Sequence, residues 1–291
     1  MQKEKVVIIG SGPAGLTAAI YTARAMLDPV VIVGDQLGGQ IALSSEVENY
    51  PAFVDVISGF DLTDGMQKQA TKFGARLDYD SVVSVDLSQG SPFHIKTHSK
   101  EYLTEALIIT AGASPRKLGI PGEDDYWGRG VSTCATCDGF FYKGKKVVVI
   151  GGGDSAMEEG IFLTKFADSV TVIHRRDELR AGPVLQKRAF ANEKMNFIWH
   201  SVVEAVLGDG QKVTGVRLRN VKTDAVINMD TDGFFLFIGH EPNSDIVANQ
   251  VEMDDQGYVI ADELMRTSIE GVFAAGEIQD PVFRQVATSV G

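Results

Sequence analysis

One pattern limits the chain more than any other feature: a short apolar run, a glycine-rich turn and a helical stretch free of breakers, and then all three again. The first copy runs from Val6-Val-Ile-Ile9 through Gly10, Ser11, Gly12, Pro13, Ala14 and Gly15 into a helix expected over Leu16 to Met26. The second runs from Lys143-Gly-Lys-Lys-Val147-Val-Val-Ile150 through Gly151, Gly152, Gly153, Asp154, Ser155 and Ala156 into a helix expected from Met157 to near Phe166. Gly10, Gly12 and Gly15 align with Gly151, Gly153 and Ala156 at one constant offset. Between a strand and a helix each glycine has a task. One makes the tight turn, one lets backbone approach a pyrophosphate, and one lets helix pack on strand. Alanine serves at the third position, where helix–strand packing alone is at stake. Strands that are apolar throughout belong in a parallel sheet covered on both faces. Two such units imply two bound nucleotides.

The ends of the two second strands differ. Pro29-Val-Val-Ile-Val33 leads to Gly34-Asp35, so Asp35 stands about where a ribose-binding acid is expected, with a solvated turn aspartate as the other reading. Ser169-Val-Thr-Val-Ile173 leads instead to His174, Arg175 and Arg176, with Arg180 one turn on. Arginines there favour a 2′-phosphate through charge-assisted hydrogen bonds, which selects NADPH over NADH.

Between these landmarks the pattern alternates. Gly38-Gly-Gln40 and Glu48-Asn-Tyr-Pro51 lie in an irregular stretch, and Phe60 to Phe73 reads as an amphipathic helix. Arg76 to Tyr102 and Ala189 to Asp230 each read as an antiparallel meander. Buried strands are expected at Ala106-Leu-Ile-Ile-Thr110, ending in Ala111 and Gly112, at Phe234-Phe-Leu-Phe-Ile238, and at Gly271 to Ala275, ending in Gly276 and Glu277. Pro281 to Gly291 starts a helical stretch. The fold class is α/β: two Rossmann-like dinucleotide-binding domains, each a central parallel sheet with helices and an antiparallel β-meander.

Both cysteines of the chain, Cys134 and Cys137, lie in Ser132-Thr-Cys-Ala-Thr-Cys-Asp138-Gly. A Cys-x-x-Cys pair opens to a dithiol and closes again, and its N-terminal thiol often has a lowered pKa. A zinc site is the competing reading, but no second cysteine pair supplies the remaining ligands. A paired redox function in an unexported chain fits a reducing, cytoplasmic setting. The N-terminus runs directly into a strand and leaves no room for a leader. A net charge of −12 argues against a nucleic-acid partner, and no apolar run is long enough to span a membrane.

On these motifs, together with Gly239-His-Glu-Pro-Asn243 and Arg284-Gln285, the chain resembles the low-molecular-weight thioredoxin reductases of bacterial and archaeal type over essentially its whole length. The resemblance implies FAD on the first unit and NADPH on the second. The FAD domain is then 1–114 plus 244–291, with the NADPH domain inserted as 115–243, and chain crossings near Ser114 and Asn243-Ser244 act as the hinge. It further implies that Gly10 to Gly15 cradle the FAD pyrophosphate and that Gly39, Gln40 and Asn49 lie on the flavin side. Ala111, Gly112 and Gly276 line the same cofactor, Glu277 bonds its ribityl chain, and Gln285, Val286 and Ala287 reach the isoalloxazine edge. His174, Arg175, Arg176 and Arg180 clamp the NADPH 2′-phosphate beside Gly151, Gly153, Asp154, Ser155 and Ala156. Cys137 faces the flavin, and Cys134 attacks the disulfide of a thioredoxin. The adjacent Asp138 is a candidate to protonate the leaving thiolate, with an N-cap or turn residue as the other reading. Phe140 and Phe141 are candidates for thioredoxin docking, with buried core as the alternative. The family assembles as homodimers. Three departures stand out: Glu277 where the family has Asp, Ala52 where it has Gly after Pro51, and a further C-terminal helix that family members carry past Gly291. Rival readings are another thioredoxin-like partner, or a nucleotide-binding redox sensor without turnover. A ferredoxin–NADP reductase-like flavoprotein would not need the cysteine pair.

Overall fold

A computed structural model of the chain describes residues 1–44 and 46–291. In chain order it begins with β1 (Gln2–Ile9), α1 (Pro13–Arg24), β2 (Val30–Ile32), α2 (Gly59–Lys72), β3 (Arg76–Asp78), β4 (Val82–Asp86), β5 (Phe93–Thr97), β6 (Glu101–Ile109) and β7 (Ala113–Pro115). Next come β8 (Val131–Ser132), α3 (Ala135–Asp138), β9 (Lys146–Ile150), α4 (Asp154–Leu163), β10 (Ser169–Ile173), α5 (Pro183–Phe190), β11 (Met195–Ile198), β12 (Ser201–Gly208), β13 (Val213–Asn220), β14 (Val226–Asp230) and β15 (Gly233–Leu236). The chain closes with β16 (His240–Pro242), β17 (Val272–Ala274) and α6 (Val286–Val290). It divides into two compact units, Met1–Ser114 with His240–Gly291, and Pro115–Gly239. The two-stranded ribbon of β7 and β16 marks where the chain leaves the first unit and returns to it.

The first unit is built on a sheet of order β3-β2-β1-β6-β5-β4, with β17 also on β6. β3, β2, β1, β6 and β17 run parallel, whereas β4, β5 and β6 form an antiparallel meander. Successive side chains of a strand point to opposite faces. Val6, Ile8 and Val31 therefore meet Ala19, Ile20 and Ala23 of α1. Val7, Ile9 and Ile32 meet the other face, with Phe93 and Ile95 of the meander and Val259 and Val272 from the C-terminal segment. Burial on both faces is why β2 and the second half of β1, Val6 to Ile9, are apolar at every position.

The second unit repeats the recipe with order β11-β10-β9-β15-β8, all parallel. Val147, Val149, Val170 and Val172 pack under Met157 and Leu163 of α4. Val148, Ile150 and Ile173 pack against Val206, Val213, Val216 and Leu218 of the β12-β13-β14 meander. The expected fold class is thus the observed one.

Three expectations need correction. The stretch Arg76 to Tyr102 is not all meander, because its first strand, β3, pairs parallel with β2. The stretch Ala189 to Asp230 is not all meander, because its first strand, β11, joins the parallel sheet beside β10. The strand expected at Ala106–Thr110 is also not separate from the meander before it. β6 is one strand whose first half bonds β5 and whose second half bonds β17, with β1 along its other edge. Within it Thr104 is fully buried, with its hydroxyl donating to the Ala106 carbonyl at 2.8 Å, and Glu105 points to solvent.

Candidate functional site

In the first unit the glycine turn joins β1 to α1. Gly10 has φ +108°, and a Cβ there would lie 2.4 Å from the Thr110 carbonyl oxygen. At Gly15 a Cβ would lie 2.0 Å from the Gly10 oxygen, so β1 and α1 approach as closely as glycine allows. Thr110 locks this corner by donating its hydroxyl to Ile9 O at 2.7 Å, a role no motif announced. Gly12 caps α1 with no side chain on the first N–H groups, and Pro13 follows at the first helical turn. By contrast α2 is closed by Ser58, whose Oγ accepts from Asp61 N at 3.0 Å. The first N–H groups of α1 are therefore left for another acceptor.

Gly39, Gly276 and Ser11 are brought together at this turn. Gly39 lies against Gly12, and Gly276 lies against Ala14, each close enough that an added Cβ would crowd its neighbour. The space beside Gly112 is open. Ser11 turns inward: its hydroxyl donates to Val33 O at 2.9 Å and accepts from Gly38 N at 3.2 Å, which ties the 33–38 loop to the turn. Asp35 is exposed at the end of β2 and accepts a hydrogen bond from Ser81. Asn49, far from Gln285 in sequence, donates to its Oε1 at 3.0 Å. Gln285 opens α6, which begins with Val286 and Ala287. Gln40 begins a 3₁₀ turn and is exposed. Ala111 O accepts from Asn243 at 2.8 Å.

Glu277 is half-buried, and burial pushes its carboxyl up against the pull of the Arg284 charge. Arg284 sits at φ +50° and reaches His240, whose pKa is lowered to about 4 by burial and by that same charge. Arginine only donates, so the neutral imidazole accepts at Nδ1 from Arg284 Nη1 at 2.8 Å. Arg284 Nε is buried without a partner among the described residues. Sequence reading quoted this arginine and this histidine only within separate motifs.

In the second unit the equivalent turn joins β9 to α4. A Cβ at Gly151 would lie 2.5 Å from Phe237 O, whereas the space beside Gly153 is open and α4 again starts with no side-chain cap. Ala156 is fully buried against Gly151. Asp154 accepts the Gly182 N–H at 2.7 Å, and Ser155 is exposed. Gly152 O accepts from Arg180 N at 2.6 Å and Ala181 N at 3.0 Å, which straps the 174–182 loop to the turn. Arg175, Arg176 and Arg180 all expose their side chains on that loop. His174 does not join them. It is buried with its ring beneath Gly152, edge-on to Trp199 at 6.3 Å. Burial first, then the neighbouring arginine charges, lower its pKa, so it stands neutral, and its Nε2 has no partner among the described residues.

The cysteine motif lies at the end of β8, an edge strand of the same sheet whose β9 carries the glycine turn. Cys134 and Cys137 form a disulfide with S–S 2.09 Å and Cα–Cα 5.3 Å. Cys134 caps the single turn α3; its Sγ accepts from Cys137 N at 3.2 Å, and its own N–H goes to Ser132 Oγ at 3.1 Å. Both cysteines are half-buried, as is Asp138. Tyr142 lies close enough to feel the Asp138 charge; burial, then Asp138 and Asp232, push its phenol up. Phe140 is exposed and packs edge-on against Phe141 and Phe166, while Phe141 leans into the core. The second unit thus carries a disulfide and an uncapped glycine turn on one sheet.

The model of the pyridine nucleotide-disulphide oxidoreductase family matches residues 4–291. The chain is 50% identical over 288 residues to thioredoxin reductase of Streptomyces coelicolor, covering 98% of this chain and 89% of that one. It is 48% identical over 291 residues to thioredoxin reductase of Rickettsia conorii, covering 99% and 94%. The crystal structure of thioredoxin reductase from Streptococcus pyogenes superposes with TM-score 0.94 at 44% identity, covering 99% of this chain and 94% of that chain.

Proposed function

The chain belongs to the pyridine nucleotide-disulphide oxidoreductase family, among its thioredoxin reductases, and from that premise we propose that it reduces the disulfide of thioredoxin with electrons from NADPH. The observation that carries this reading is the Cys134–Cys137 disulfide at the edge of the sheet that also holds the second glycine turn. FAD, when bound, supplies two-electron transfer between nicotinamide and disulfide.

The first unit is assigned to FAD. The uncapped start of α1 and the close approach of Gly39 to Gly12 and of Gly276 to Ala14 leave backbone, not side chains, facing a pyrophosphate. The orphaned Arg284 Nε and the half-buried Glu277 give that pocket an unused donor and an acceptor. Asp35 is the ribose acid, and Asn49 with Gln285 forms a polar pair for the flavin edge. The second unit is assigned to NADPH. Its uncapped α4 takes the pyrophosphate, and Arg175, Arg176 and Arg180 take the 2′-phosphate. His174 contributes a neutral, buried Nε2 with a hydrogen bond still to make.

Cys134 is the thiol that attacks the substrate disulfide, and Cys137 closes the ring again. The Cys137 N–H already directed at Cys134 Sγ stabilises sulfur charge there. Asp138 holds the proton for the thiolate beside it. Exposed Phe140 offers an apolar contact for thioredoxin. A homodimer in the cytoplasm completes the reading. The apolar side chains exposed at Phe53, Val54, Val56 and Phe60 supply a surface for a second copy. No helix among the described residues is long and apolar enough to cross a membrane.

The test is an anaerobic titration of FAD-loaded protein with NADPH, followed by oxidised thioredoxin. Flavin absorbance that bleaches and then recovers supports the reading. Bleaching without recovery rejects thioredoxin as the substrate, and no bleaching rejects NADPH as the donor.

A further inference from the structure

The disulfide turn is held from outside by one charged side chain. α3 follows Cys134 directly and packs on α4, the helix that starts at the second glycine turn. From α4, Glu159 reaches across, and its Oε2 accepts the Ala135 N–H at 3.0 Å. Ala135 is completely buried, so this N–H has no route to bulk water. The N–H groups at the start of the turn are therefore committed: Cys134 N–H to Ser132, Ala135 N–H to Glu159, and Cys137 N–H to Cys134 Sγ.

We infer that Glu159 is a positioning residue that makes the Cys134–Cys137 pair a stronger reductant. Opening the disulfide takes two electrons and one proton and leaves one thiol and one thiolate; in turnover the electrons come from NADPH. A thiolate at Cys134 is stabilised by N–H groups aimed at it and opposed by negative charge beside it. Glu159 acts on both counts. It removes the N–H next in line after Cys134 and places a carboxylate one peptide from the sulfur-bearing residue. Reduced, ionised sulfur is thereby kept from becoming too stable, and its electrons pass on more readily. The other charged groups around the motif are Asp138 on the turn itself, exposed Glu158 on α4, and Asp232 and Lys145, which act on Tyr142 behind it. Glu159 bonds the turn's backbone directly.

The inference rests on the proposed cycling of the cysteine pair, and its test separates the two. Glu159→Gln keeps an oxygen for the Ala135 N–H and removes the charge. The protein and this variant are equilibrated with a dithiothreitol redox couple at pH 8, and the reduced forms are alkylated across pH 5–9. In the variant the pKa of the more reactive thiol falls by about one unit, and the equilibrium moves about three- to tenfold toward the dithiol, equivalent to about 15–30 mV. Glu159→Ala, which also frees the N–H, moves both readouts at least as far in the same direction. A Glu159→Gln protein with unchanged thiol pKa and unchanged equilibrium overturns the inference and leaves Glu159 as packing. Failure of the parent protein to pass electrons from NADPH to thioredoxin would instead overturn the proposed function, without altering either equilibrium readout.

Discussion

The two glycine turns share their first two glycines and differ at the third, Gly15 in one and Ala156 in the other. A Cβ at position 15 would lie 2.0 Å from the Gly10 oxygen, while the matching Ala156 is accommodated in full burial. Gly15→Ala is therefore expected to cost about 1–3 kcal/mol through overpacking, and to lower FAD retention, in urea melts and flavin absorbance of the purified protein. Ala156→Gly should cost only about 1 kcal/mol, the helix penalty of glycine. Arginine chemistry gives a second expectation at this scale. Arg176 is exposed and carries its charge freely, so Arg176→Ala should lower kcat/KM for NADPH by about 10–100-fold while leaving that for NADH nearly unchanged. His174 lies buried beneath the turn, and no spacing rule separates it from the exposed arginines that follow it. Its burial depends on how the loop is strapped to Gly152.

Among the elements, β6 carries the most. Its side chains alternate between both faces of the first sheet, and its backbone serves β1, β5 and β17 at once. Near its start Tyr102, almost fully buried, donates to Asp78 at 2.5 Å, and Lys100 pairs with the same carboxylate. Tyr102→Phe removes a donor from a buried charge, so a loss of about 1–3 kcal/mol is expected in equilibrium unfolding, and a Tyr102→Phe protein as stable as the parent would refute that role. The apolar strands β1, β9 and β10 were legible because unbroken Val and Ile runs have few other ways to be buried. The continuity of β6 was not legible. No local pattern joins the meander ending at Tyr102 to the apolar run from Ala106, and in the fold Thr104 lies buried between them with its hydroxyl on Ala106 O. β11 was misplaced for a similar reason: a short mixed strand carries no mark of whether its neighbour runs parallel or antiparallel.

For the whole molecule the clearest physical handle is pH. His174 and His240 both titrate below the usual histidine range, His240 at about 4. At these two sites the unfolded chain binds more protons than the native one between about pH 6.5 and pH 4, so the stability they contribute is full above that window and falls on acidification through it, while the raised Glu277 carboxyl acts in the opposite sense. Thermal melts should show a loss of about 1–2 kcal/mol between pH 7 and pH 5 from His240, and His240→Gln should flatten that part of the profile. The repeated strand–turn–helix units and the cysteine pair were readable from residue order. Each is a local device: turn geometry, helix start and disulfide closure depend on residues within one short span. The meetings of distant residues were not readable: Glu159 on the Ala135 N–H, Asn49 on Gln285, Gly276 on Ala14, and Arg284 on His240. Each pairs groups that no local pattern links, and each exists because strands and helices pack at one particular spacing. Residue order told which chemistry the chain carries. Packing assigned the neighbours that set its pKa values, its fit to cofactors and its reducing strength.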